Sequence, residues 1–274
     1  MTTKLERRIE LTTKQKKIKI GHQKTKQQQQ LFFGIGAILF LGSLLIVDID
    51  WRQFIVGLEK LPGTLNNMME ISFTMLPDYL VAMLTSLVVA FLSLVFGLIL
   101  SFMTAFFVAR NIAPSIWLSN VIRVMVLIIR AIPKIVLVLI AVASIGFGSM
   151  AGILGLILPT AGYLIRTFAA QIEEVGDETI EALRAVGANW LQIVIKGLLP
   201  KLNTAFLSTI AFKFEMNVSE SVVLGMVGAG GVGMLIQDSI TFYHFGDMTL
   251  GILIVFITMF LIETTTGQLR KRLR

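Results

Sequence analysis

Apolar residues dominate positions 31–47, 79–109, 130–147, 150–170, 202–227 and 248–262, and polar or basic residues punctuate the gaps between them. A helix needs about 20 apolar residues to cross roughly 30 Å of hydrocarbon. The first stretch is at the short end of that range and ends at Asp48 and Asp50; the second is long enough for a tilted span. The pattern predicts an all-α membrane protein with about six transmembrane helices. Residues 115–129 are apolar but carry Arg123, so they read as partly interfacial. The third span then begins near Arg130 and Pro133, which puts Arg130 and Lys134 at or near the cytoplasmic boundary. Gly146, Gly148, Gly152 and Gly155 mark a turn followed by close helix contact, because small residues let helices approach in lipid. Residues 57–69 are either a short surface helix or irregular, and residues 234–247 form a short outer connection.

Charge orients these elements. Only 15% of residues are charged, against about 25% in soluble domains. The net charge of +7 would suggest nucleic acid in a soluble protein. In a chain this apolar, basic residues instead set topology by the positive-inside rule, and no nucleic-acid partner is expected. The first thirty residues are basic, Arg110 follows the second span, and Arg270, Lys271, Arg272 and Arg274 end the chain. Both termini are therefore expected in the cytoplasm. The division is a basic tail (1–30), a first anchor (31–47), an outer loop (48–78), a core (79–267) containing a cytoplasmic loop at 173–200, and a basic end (268–274). No small-residue cleavage site follows Val47, so the first segment reads as a retained anchor rather than a signal peptide.

Several chemistries are missing. There is no cysteine, hence no disulfide or thiolate. No G-x-x-x-x-G-K-[ST] occurs, so no P-loop holds a nucleotide in this chain. His22 and His244 are far apart, which argues against a histidine metal site or a Ser-His-Asp triad. Gly228, Gly230 and Gly233 formally match G-x-G-x-x-G, with Gly231 between them. The dinucleotide reading needs a preceding strand and a following helix, whereas this run ends an apolar helix. It reads as broken or tightly packed backbone, tolerated at membrane depth only where it is protein-buried or lines a cavity, and so as a candidate gate or pathway wall. The span before it carries Lys213, Glu215, Asn217, Ser219 and Glu220. Lys213, Asn217 and Glu220 share one helical face, with Glu215 and Ser219 on a neighbouring stripe. Intramembrane ionisable groups either pair between helices or line an aqueous path. Both readings stand, and Arg166 is expected to pair with Glu215 or Glu220, or to meet an anion.

The polar interruption at 173–200 needs a separate explanation. Ile180, Leu183 and Val186 recur at three-residue spacing, Gly187 breaks the helix, and residues 190–199 are more apolar. This predicts two short amphipathic helices joined at Gly187. Helices so short are marginal alone and need a partner surface. Glu181-Ala182-Leu183, Gly187 and Leu199-Pro200 resemble the EAA loop of ABC-importer permeases. In that pattern Leu183 stands in place of a second alanine and Gly197 in place of an aliphatic residue. Arg130-Ala131-Ile132-Pro133, the run 214–218 and the run 223–233 resemble the phosphonate-type permeases, although Ser219 stands where that branch often has a basic residue. Methionine permeases share the first and last of these pieces.

The resemblance implies type I ABC importer permease architecture in a bacterial inner membrane, acting as a homodimer. It implies an ABC ATPase partner that binds ATP and Mg, a coupling helix at Glu181 to Gly187, and an extracytoplasmic substrate-binding protein. It also implies a small phosphorus oxyanion as substrate: phosphonate, phosphite or phosphate ester. The chain itself is expected to be no enzyme and to hold no cofactor. The alternatives are a permease for methionine or another small solute, or a stand-alone secondary transporter.

Overall fold

The computed structural model describes residues 23–47 and 50–273. Residues 1–22 of the expected basic tail, Asp48 and Arg274 lie outside the described residues, while the tail's residues 23–30 are helical and begin α1. Regular structure among the described residues is helical throughout: α1 Gln23–Ile46, α2 Trp51–Met69, α3 Leu76–Val108, α4 Ile116–Ala131, α5 Lys134–Ile145, α6 Ser149–Glu174, α7 Asp177–Ala185, α8 Leu199–Leu224, α9 Val232–Thr241 and α10 Phe245–Leu273. Five stretches are long and apolar enough to cross a bilayer: Gln28–Ile46, Leu76–Val108, Ser149–Glu174, Trp190–Ala229 and Phe245–Lys271. The pair α4 and α5, bent by 81°, passes as a sixth span.

The chain divides after Leu61 into two units. In the first, α1 has its apolar side chains exposed, as befits a helix solvated by lipid. Residues 57–69 are helical, within α2, whose start is fixed by Asp50: its carboxylate accepts from the Arg52 and Gln53 amides, both at 3.0 Å.

The second unit, from Pro62 onward, is a helical bundle organised on α3 and α6. Small residues bring these two together: a Cβ on Gly97 of α3 would lie 2.7 Å from Thr160 of α6, and one on Gly152 of α6 would lie 3.2 Å from Val89 of α3. Ser93 on α3 also donates to the Ile153 carbonyl of α6 at 3.3 Å. At one end of the bundle, Phe106, Phe168 and Phe206 join α3, α6 and α8, with the Phe168 and Phe206 rings stacked at 4.2 Å. Without a hydrophobic driving force in lipid, such interdigitation is what holds the helices together. Toward the other end, Tyr79 of α3 shares a hydrogen bond with Ser239 of α9 at 2.8 Å.

Three sequence expectations change. The apolar piece at 190–199 is not a separate short helix. It starts at an Asn189/Gln192 capping box, passes through a wide π-type turn, Ile193–Leu198, and continues directly into α8. The connection at 234–247 holds a helix, α9. Finally, Arg130 and Lys134 do not sit at a boundary. The break at Pro133 lies beside the middle of α6, with its residues exposed: Arg130 packs over Gly162, and Lys134 reaches α8. The proline cannot continue α4, and the bend turns α5 inward.

Candidate functional site

At one end of the bundle, α7 is held between two left-handed glycines, Gly176 and Gly187, each with φ of 82°. Gly187 closes α7 in a Schellman motif: its amide donates to the Arg184 carbonyl at 2.9 Å and the Ala188 amide to the Leu183 carbonyl at 3.0 Å. Ile180, only 1% exposed, plugs α7 into the aromatic core. Lys201 of α8 donates to Thr179 at 3.1 Å. Trp190 stacks on Phe107 at 5.5 Å and donates its indole N–H to the Ile112 carbonyl at 2.9 Å. Glu178, Glu181, Ala182 and Val186 stay on the exposed outer side. Leu199 and Pro200 form the first turn of α8, where a proline's missing N–H costs no helical bond.

The two departures from the loop pattern are one packing solution. A Cβ on Gly197 would collide with Leu183 Cδ1, so the larger Leu183 fills the space that the missing side chain of Gly197 leaves. Gly197→Val alone is expected to overpack this contact by about 1–3 kcal/mol. Combining it with Leu183→Ala should recover most of that loss, with a coupling of about 0.5–3 kcal/mol. Thermal-unfolding midpoints of the four proteins check this; strictly additive shifts would sink it.

Deeper in the bundle, the shared face of α8 is a built polar cluster. Lys213 is fully buried and lies 3.5 Å from the Glu220 carboxylate and 5.4 Å above the Tyr163 ring. Lys134 of α5 forms an ion pair with the same Glu220. Two ammonium groups therefore share one carboxylate. Asn217 accepts from Thr160 at 3.1 Å and donates to the Ala90 carbonyl at 3.3 Å. Glu215 faces away, bound by Arg270 at 3.2 Å and Thr266 at 3.1 Å on α10. Ser219 is exposed. Arg166 pairs with neither Glu215 nor Glu220; it lines a separate cavity with Arg110, Arg123 and Arg130. The place of Lys134 was not legible from the sequence, because it depends on the angle at Pro133.

Beyond Glu220 the helix breaks. Residues 225–229 widen into a π-type turn in which Gly228 adopts φ 105°, followed by Gly230 and Gly231 at 73° and 76°. The freed backbone groups find partners: the Gly148 amide donates to the Gly228 carbonyl at 2.9 Å, and the Val232 amide to Ser86 Oγ at 3.0 Å. Space is equally constrained. A Cβ on Gly228 would enter the Phe147 ring, one on Gly231 would meet Ser86, and one on Gly233 the Val222 carbonyl. The glycine run is therefore broken backbone buried in protein, held against the turn between α5 and α6.

Residues 97–274 match the family described as binding-protein-dependent transport system inner membrane component. The phosphite transport system permease protein PtxC of Stutzerimonas stutzeri is 28% identical over 254 residues, covering 88% of this chain and 92% of that protein. The phosphate-import permease protein PhnE of Mycolicibacterium smegmatis is 33% identical over 177 residues, 65% of this chain and 33% of that protein. Among solved structures, the MetNI methionine ABC transporter in its inward-facing form aligns with a TM-score of 0.66 at 25% identity, over 74% of this chain and 100% of that chain. Its helical bundle and this match together make the chain a multi-pass membrane protein of the binding-protein-dependent transport system inner membrane component family.

Proposed function

We propose that this chain is the permease subunit of an ABC importer for a small phosphorus oxyanion, paired with a second copy and driven by an ATPase that docks on α7. The observation that carries the docking is the mounting of α7. It is tied to the core by Ile180 while Glu178, Glu181, Ala182 and Val186 are exposed, with no ion pair to Glu178 or Glu181 among the described residues. If ATP drives transport, it is bound by another chain, since no P-loop occurs in the sequence, and α7 offers a patterned surface to receive that chain. The loop end is then cytoplasmic, which agrees with the basic termini and the positive-inside rule. ATP closure of the partner moves α7, and α7 moves α8 through the capped turn at Asn189. Lys213 and Glu220 lie on α8 and the broken segment 225–231 follows it directly; with Lys134 of α5 they serve as gate and pathway. Two cations on one carboxylate favour an anionic solute, and the phosphite and phosphate permeases among the relatives support that class.

The experiment is uptake of labelled phosphite, methylphosphonate, phosphate and methionine by cells expressing the chain with its ATPase and binding protein. Uptake of at least one phosphorus oxyanion is expected, abolished when the ATPase is inactivated. Uptake of methionine with no oxyanion uptake would overturn the substrate class. Gradient-driven uptake by the chain alone would overturn the ATPase arm.

A further inference from the structure

Between α3, α4 and α6 lies an open cavity of about 480 Å³ lined by Arg110, Arg123, Arg130 and Arg166, with Glu173 as the one carboxylate on its wall. It runs from the middle of α6, where Arg130 covers Gly162, to the loop end, where Glu173 lies in the last turn of α6. Glu173 is already committed: it pairs with Arg123 and accepts the Arg110 backbone amide at 2.8 Å. Arg123 is committed too, since it also donates to the Val108 carbonyl at 3.0 Å. These bonds fix one wall by tying the end of α3 to α4 and α6. The guanidinium groups of Arg110, Arg130 and Arg166 have no acidic partner among the described residues, and all three residues are exposed. The rest of the lining is apolar, Val124, Leu127, Ile165 and Ala169 among it, apart from Asn120.

We infer that this cavity binds a phosphate group, gripped by Arg130 and Arg166 with Arg110 at the mouth. Guanidinium forks match tetrahedral oxyanions bidentately, where an ammonium acts only as a point charge. Three exposed guanidinium groups converging on one groove attract a counter-ion, and the nearest carboxylate is occupied. Basic pockets between transmembrane helices on the cytoplasmic side are also where anionic headgroups settle, and the apolar part of the lining suits acyl chains. The ligand is therefore either a free phosphorus oxyanion or the headgroup of an anionic phospholipid. The site does not depend on the identity of the transported solute.

Purified full-length chain in neutral detergent is titrated separately with inorganic phosphate, at ionic strength matched by chloride, and with phosphatidylglycerol against phosphatidylcholine. Binding is read by unfolding midpoint and native mass spectrometry. At least one phosphate-bearing ligand is expected to bind over its control. A response to inorganic phosphate alone identifies the free anion, and a response to phosphatidylglycerol alone identifies the headgroup. Arg130→Gln with Arg166→Gln should weaken binding about ten-fold or more, given the strength of charge-assisted hydrogen bonds. Arg130→Lys with Arg166→Lys, which keeps the charge and loses the forks, should fall between and provides the measurement if the glutamine protein does not fold. No binding of either ligand by the wild-type chain, or unchanged affinity in the lysine and glutamine proteins, overturns the inference.

Discussion

Gly187→Val is expected to uncouple transport from ATP hydrolysis while leaving the chain in the membrane. Gly187 holds φ of 82°, a region that costs an L-residue about 1–2 kcal/mol and a β-branched one more. Valine there breaks the two hydrogen bonds that end α7 and re-aims the loop entering α8. The bundle core is untouched, because nothing lies within 4 Å of a Cβ on Gly187. Asparagine tolerates the left-handed region, so Gly187→Asn should retain most of the coupling. Glu181→Lys tests the same docking from the other side. Glu181 is exposed and makes no ion pair among the described residues, so its reversal should leave the isolated chain stable. In complex with the ATPase, a charge placed at the interface should cost about 2–5 kcal/mol, a loss of ten-fold or more in stimulated hydrolysis. Substrate-stimulated ATPase rates and uptake, set beside membrane abundance, decide the matter. Wild-type stimulation in both Gly187→Val and Glu181→Lys would refute the docking role of α7.

The parts of this site that were legible in the sequence are those fixed by local rules. A three-residue apolar spacing followed by Gly187 specifies a short helix and its left-handed cap, and both are present. A run of four glycines within six positions specifies backbone that cannot stay helical, and the break sits there. What was not legible depends on neighbours distant in sequence. The π-type turn at Ile193–Leu198 has no residue signature of its own; it follows from fitting Ile193, Val194 and Leu198 into one core with Ile180. A span starting near Pro133 was expected, but the 81° bend there, which carries Lys134 to Glu220 across 86 positions, was not. Arg270 claims Glu215 from α10, and that leaves Arg166 to the cavity. Leu183 and Gly197 look like unrelated irregularities until the fold sets them in contact.

Removing Glu220 should be the most damaging change inside the bundle. Glu220→Gln leaves Lys213, which is 0% exposed, with no carboxylate partner, and frees Lys134. Breaking a buried pair by deleting one partner costs about 3–5 kcal/mol, because the remaining charge keeps its desolvation penalty. The two lysines are not equivalent. Lys134 has a side chain 42% exposed and can hydrate; Lys213 cannot. Lys213→Met should therefore be tolerated, since it removes the surplus charge, keeps the length of the side chain and leaves Lys134 paired. Adding Lys213→Met to Glu220→Gln should restore most of the stability lost in the single variant. Adding Lys134→Met instead should restore little, because the buried cation remains. Unfolding midpoints in detergent and steady-state membrane abundance report the order. Equal rescue by either lysine replacement, or a Glu220→Gln protein as stable as the wild type, would show that the cluster is not held by its charge balance. Transport adds the functional half of the test. If the surplus cation serves an anion in transit, Lys213→Met keeps the bundle intact and yet lowers uptake. A Lys213→Met protein of normal stability and normal uptake would reduce the cluster to a structural tie between α5 and α8.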